Sequence, residues 1–205
     1  KAPVLGRCKT RLKLPESKAL ALHRAFVKDV INNSKGEWSQ VLWSDDASHP
    51  FFEQFDLPVH QQIGHTLGDW MAHGFDEMFK TFDRVMIIGT DAPSLPVRHV
   101  RDAFRMLGTY DVVIGPSCDG GYYGLGLTQP CPAVFDPLIP WGEETVCVQT
   151  LSILRRLNLS VMVLPFWFDV DRPTDLALLR LISDGSEHPH STAILQHLSI
   201  DGDDQ

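Results

Sequence analysis

The stretch KAPVLGRCKTRLK gathers five cations, Lys1, Arg7, Lys9, Arg11 and Lys13, and no acid appears before Glu16. Gly6 lets the backbone approach an anion. Arg7, Lys9 and Arg11 can hold phosphate oxygens, arginine bidentately and lysine as a point charge. With a single glycine this is not a GxxxxGK[ST] loop, and a solvated basic terminus is the competing reading. Three acidic positions could share a ligand with such a loop. Asp91, in MIIGTDAPSLP, stands where a carboxylate can hold Mg²⁺ or Mn²⁺ against substrate phosphates. Capping of the following helix by Asp91 or Ser94 is the alternative. Asp119-Gly120-Gly121, in GPSCDGGYYGLG, is a hairpin signature, although two tyrosines and the nearby glycines exceed what a hairpin requires. Asp169 and Asp171 flank one valine in PFWFDVDRPTDL, and one of the two is expected to meet a metal held by Asp91. Asp175 reads as a first-turn helix acid.

These positions are useful only if the chain brings them to one edge. Apolar spacing predicts helices over Pro15–Asn33, Leu67–Lys80, Pro96–Leu107, Glu143–Leu157 and Thr174–Ile182. Strands are expected at Gln40–Ser44, Arg84–Gly89, Asp111–Pro116, Gly121–Leu127 and Ser160–Phe166. RVMIIG and DVVIGP are near-continuous apolar runs of the kind covered on both faces. Helices alternating with strands imply a single-domain, three-layer α/β/α fold with a mostly parallel mixed sheet. In such folds ligands bind beyond the carboxyl ends of strands, which is where Asp91, Asp119 and Asp171 fall. A phosphate loop normally follows a central strand. Here either that strand lies ahead of Lys1 or Lys1–Leu5 is its end. Residues 1–182 are expected to form the domain, and 183–205 a polar, marginally ordered tail with one short helix near Thr192–Leu198.

Composition narrows the partners. The 205 residues carry a net charge of −8, with 43% apolar and 21% charged residues, ordinary values for a globular chain. An acidic balance disfavours general nucleic-acid or membrane-surface binding. Cys8, Cys118, Cys131 and Cys147 form no CxxC pair, pointing to a reducing cytoplasm. No apolar run approaches a membrane span. The nine histidines form no HExxH pair, and surface or core roles are expected for them. Of the five tryptophans, Trp141 in IPWGEET is expected to open a helix at the edge of a site.

In order along the chain, KAPVLGRCKTRL, QQIGHTLGDWM, IIGTDAPSLP, VVIGPSCDGGYYGLGL, PWGEETV and FDVDRPTDL resemble a family of GT-A-like transferases. These are the rSAM/selenodomain-associated or DUF-type glycosyltransferases, similar in fold to nucleotide-diphospho-sugar transferases, with molybdenum-cofactor guanylyltransferase among their cousins. The resemblance runs from Lys1 to about Leu179. It implies a metal-dependent transferase using a nucleotide sugar, or a nucleoside triphosphate if the chemistry is nucleotidyl transfer, together with an acceptor; a non-catalytic nucleotide-binding protein of the same fold is the remaining alternative. Gly6, Arg7, Lys9 and Arg11 match the nucleotide-phosphate loop, and Asp91 the carboxylate for Mg²⁺ or Mn²⁺. Asp171, ahead of Asp169, matches a second acid near the metal. Asp119, Gly120, Gly121 and Tyr122 match a loop near the acceptor or sugar, with Trp141 beside it. Lys9 and Asp91 are the implied catalytic groups. Leu5 stands where many members have proline, and Gly142-Glu143 where many have Ser-Thr; neither change removes a charged group.

Overall fold

The computed structural model describes residues 1–183 and 188–198. They divide into two compact units. The first comprises Lys1–Ala2, Gly36–Gly89 and Val97–Phe168; the second comprises Pro3–Lys35, Thr90–Pro96 and the chain from Asp169 on.

Among the described residues the first unit holds all the strands: β1 (Leu42–Ser44), β2 (Val59–Gln61), β3 (Val85–Ile88), β4 (Val112–Pro116), β5 (Tyr122–Leu127) and β6 (Val161–Val163). A four-stranded sheet runs β3-β5-β4-β6, while β1 and β2 pair in parallel by themselves. The fold is the expected mixed α/β arrangement, but β5 runs antiparallel to both of its neighbours and only β4–β6 is a parallel pair within the larger sheet. The cause is local. Ser117–Gly121 turns the chain too tightly for a crossover, so β5 returns beside β4 as a hairpin partner.

Every residue of β4 is buried, which explains its unbroken apolar sequence. Gly115 faces Gly124 across the ladder. A Cβ at Gly115 would lie 2.2 Å from the Tyr123 ring, so glycine here makes room for the largest fully buried side chain of the protein. Tyr123 then donates its hydroxyl hydrogen to the Pro165 carbonyl at 3.1 Å. Around the sheet lies one apolar core that includes Phe75, Val112, Ile114, Leu125, Phe135 and Leu154.

Three helices belong to this unit: α2 (Leu67–Met78), α3 (Val97–Met106) and α4 (Val146–Arg156). At the start of α2 the Thr66 hydroxyl accepts from Asp69 N while Asp69 accepts from Thr66 N, a reciprocal cap that fixes the first turn. The helix expected from Glu143 starts at Val146, because Gly142 takes a φ of +90° and 143–145 form a turn. The strand expected to Phe166 stops at Val163, since Pro165 has no N–H to give to a ladder. The short strand β2 escapes sequence reading because Val59-His60-Gln61 shows neither length nor apolar alternation.

The second unit is helical, built from α1 (Glu16–Asn33), α5 (Pro173–Ile182) and α6 (Pro189–Gln196). Helix α6 packs along α1. Asp29, fully buried on α1, accepts from the backbone N–H of His190 at 3.0 Å and of Ser191 at 2.7 Å, and from the Ser191 hydroxyl. These bonds satisfy donors at the first turn of α6 that no helical carbonyl can reach. Of the span expected as marginally ordered, 188–198 therefore carries a helix anchored by a buried carboxylate. Residues 184–187 and 199–205 lie outside the described residues. Lys1–Leu5, weighed above as the end of a strand, joins no ladder. Among the described residues, no helix is long and apolar enough to cross a membrane.

Candidate active site

The basic loop is held by its apolar members. Cys8 and Leu12 are buried, and a 3-10 turn spans Thr10–Leu12. Lys9 and Lys13 bracket that turn in the left-handed region, with φ of +50° and +56°. For residues with a Cβ this conformation costs about 1–2 kcal/mol each, and it persists only where the surroundings impose it. At Lys9 the surroundings are plain. Its side chain is 4% exposed and its ammonium meets three oxygens: Asp91 Oδ1 at 2.6 Å, Val170 O at 2.7 Å and Asp171 Oδ1 at 3.0 Å. The Phe26 ring of α1 lies beneath, its centroid 5.1 Å from Nζ, a cation–π contact on the one apolar side.

Each acid is positioned by its own segment. Asp91 sits on the bend Thr90–Pro96, whose residues 92–96 are all buried, and Asn33 Nδ2 donates to Pro93 O at 2.9 Å to hold that bend. Val170 N donates to Asp91 O at 2.8 Å, so 169–171 runs alongside the bend. Asp175 Oδ2 accepts from Asp171 N at 3.1 Å and from Arg172 N at 2.8 Å, fixing Asp171 at the first turn of α5. Asp175 thus plays its expected first-turn role and aligns a site residue as well.

Burial alone would raise the Asp91 carboxyl. The charge and hydrogen bond of Lys9 more than offset it, with His23 adding to the pull, and hold the group below the usual carboxylate range. Nearly half of the Asp91 side chain, 47%, and about a third of Asp171, 35%, remain open to solvent. Arg11 Nη1 stands 3.7 Å from Asp171 Oδ2 with its own side chain 73% exposed. Arg7 is exposed on the preceding turn, closed by Arg7 N donating to Val4 O at 3.1 Å. Gly6 takes a φ of +72°, and the carboxylate of Glu16 lies over it where a Cβ would project. Of the basic loop, Lys9 and Arg11 therefore join Asp91 and Asp171, whereas Gly6 faces an acid. Asp171 meets the Lys9 ammonium. The Val170 carbonyl, the third oxygen on Lys9, has no signature in sequence, since any residue supplies one.

The second group of expected residues, in the strand-bearing unit, is arranged differently. Asp119 Oδ1 accepts from Gly121 N at 3.0 Å and from the Ser117 hydroxyl, the pattern of a side chain that shapes its own turn. Gly120 has a φ of +89°, and a Cβ there would lie 2.0 Å from Glu144 O. Gly120 O in turn accepts from Cys147 N at 3.0 Å, tying the hairpin tip to the start of α4. Tyr122 is mostly buried and its hydroxyl points to Met71 Sδ at 3.7 Å; burial pushes its ionisation well up. Trp141 lies ahead of α4 rather than opening it, and packs against Gly68 so closely that a Cβ there would clash with the indole. Its indole Nε1 is buried and lacks a hydrogen-bond partner among the described residues.

Among the described residues no three of His, Cys, Asp and Glu gather in a ready-made metal site. Asp91, Asp171 and the Val170 carbonyl nevertheless form a hard-oxygen set around one point. Mg²⁺ is commonly held by one or two carboxylates, with water and substrate phosphate completing the shell. The donor set fits such an ion, and Lys9 Nζ now lies where its oxygens converge.

Residues 30–143 match DUF2064, described as an uncharacterized protein conserved in bacteria. The chain belongs to the DUF2064 family. A solved structure from Desulfovibrio desulfuricans G20, provisionally named a nucleotide-diphospho-sugar transferase, is 33% identical to this DUF2064 protein. The match covers 98% of this chain and 95% of the other, with a TM-score of 0.85. Molybdopterin-guanine dinucleotide biosynthesis protein A from Archaeoglobus fulgidus shares the fold at 13% identity and a TM-score of 0.55, over 88% of this chain and 95% of that one. No curated protein matches the chain.

Proposed function

We propose that this DUF2064 protein is a metal-dependent, nucleotide-using transferase that moves a sugar from a nucleotide sugar to an acceptor. The observation that carries the reading is the convergence of Lys9, Asp91 and Asp171 on one point from segments far apart in the chain. The 33% identity to the Desulfovibrio protein supports the sugar-nucleotide choice.

Asp91 and Asp171, with the Val170 carbonyl, are the groups that would hold Mg²⁺ or Mn²⁺. Such an ion would supply charge neutralisation on a diphosphate leaving group. Lys9 supplies an ammonium beside that position, and Arg11 an exposed guanidinium, both on a loop able to reach phosphate oxygens. Cationic donors placed against developing negative charge stabilise the transition state. In the transfer, the bond between the sugar carbon and the diphosphate oxygen breaks, and the acceptor oxygen forms the new bond to that carbon. The acceptor proton leaves to solvent or base, and nucleoside diphosphate departs. Gly120, Gly121, Tyr122 and Trp141 remain the proposed acceptor side, with Asp119 shaping the turn that carries the two glycines.

The density of cations at Arg7, Lys9 and Arg11 favours a second reading, nucleotidyl transfer from a triphosphate with loss of pyrophosphate. One experiment separates the two. The protein is incubated with nucleoside triphosphates and nucleotide sugars in Mg²⁺ or Mn²⁺. Nucleoside diphosphate release supports glycosyl transfer, and pyrophosphate release supports nucleotidyl transfer. Tight binding with neither product would leave a nucleotide-binding protein without turnover and overturn both.

A further inference from the structure

Lys9 places its ammonium at the meeting point of three oxygens, two of them the carboxylates offered to a divalent ion. An ammonium and a divalent ion cannot share that point, because like charges a few ångströms apart repel strongly in a partly buried setting. We propose that Lys9 is a built-in placeholder cation, which occupies the metal position in the ligand-free protein and is displaced from it when a divalent ion binds. This rests on the reading of Asp91 and Asp171 as the metal pair.

The placeholder solves a problem of charge. With Lys9 removed, Asp91 and Asp171 would face each other across a part-buried point, with the largely solvated Arg11, 3.7 Å from Asp171, and His23 left to offset their charge. An uncompensated carboxylate pair is costly, so an internal cation keeps the empty site assembled. Displacement also gives the ammonium somewhere to go. The incoming ion arrives with a polyphosphate, and the freed Lys9, on the same loop as Arg7 and Arg11, can bind its oxygens. Metal and nucleotide would therefore bind cooperatively, each removing an obstacle to the other.

The test uses Mn²⁺ alone as the probe, measured as protein-bound ion by equilibrium dialysis without nucleotide. Wild-type protein should bind Mn²⁺ weakly, and Lys9→Met at least tenfold more tightly. Equal affinity in both proteins would overturn the placeholder while leaving the metal pair standing. No binding by either would overturn the metal pair, and the placeholder with it. A second measurement on wild-type protein guards against misfolding of the variant. The Lys9 amine, 4% exposed, should react slowly with an acetylating reagent and several-fold faster at saturating Mn²⁺, read by peptide mass spectrometry. An unchanged or slower rate with Mn²⁺ bound would overturn the proposal.

Discussion

Two acidic loops with similar sequence credentials behave differently. Asp119 directs its carboxylate to the N–H and hydroxyl of its own turn, two residues away on either side. Asp91 and Asp171 direct theirs to Lys9, far off in sequence, and keep a third to a half of their side chains open to solvent. A carboxylate satisfied locally stabilises a hairpin. A pair held together by a distant buried ammonium retains charge that a ligand can use. The contrast shows that an aspartate after a strand is only a candidate until its hydrogen-bond partners are known.

The contrast can be broken most directly at Lys9. Lys9→Met should lower turnover by about 10²–10³, the scale of losing one charged donor to the leaving group. It should also lower stability by about 2 kcal/mol, less than the ~3–5 of a fully buried pair because both carboxylates are partly solvated. Steady-state kinetics and denaturant melts check the two effects; unchanged kinetics would remove Lys9 from the site. Gly120→Ala should act in the opposite sense. It forces a Cβ against Glu144 O at a left-handed position and should cost about 3 kcal/mol, while leaving Mn²⁺ affinity of the folded protein unaltered.

Acid should sharpen the same difference. The Asp91 carboxyl is depressed in the folded state, so its pairing contributes stability above the ordinary carboxylate value of about 3.9. That contribution is lost as pH falls through the lower folded value. Melting temperatures measured from pH 6 down to 2 should show this acid limb in wild-type protein and a shallower one in Lys9→Met. The smallest effect is expected for Asp119→Asn, whose amide oxygen can still accept from Gly121 N: a loss below about 1 kcal/mol, with KM for the acceptor little changed. A large rise in that KM would return Asp119 to the substrate side.

Much of the molecule was legible before any coordinates. The apolar runs RVMIIG and DVVIGP place β3 and β4 within a residue at each end, but only β4 is buried throughout; β3, at the sheet edge, is half-buried beyond Val85. Helix α1 follows Pro15 as its spacing predicts. The antiparallel return of β5 was hinted at by Asp-Gly-Gly but set against the expectation of a mostly parallel sheet, and the tightness of the turn decided it. Helix α6 was expected only as a short segment in a loose tail. Its anchor is Asp29, an acid in the middle of an amphipathic helix that by pattern alone reads as solvated.

By itself the sequence determined which residues could do chemistry. It put a cation-rich loop first, carboxylates after expected strands, and the helix–strand alternation of an α/β fold. Those are properties of residue type, period and neighbour, all local. Tertiary structure alone decided which of them meet. It turned Lys9 inward onto Asp91, Asp171 and the Val170 carbonyl, gave Asp119 its own turn to hold, and set Glu16 over Gly6. Charge–charge and hydrogen-bond energies depend on distance in space, and sequence separation carries almost no information about that distance.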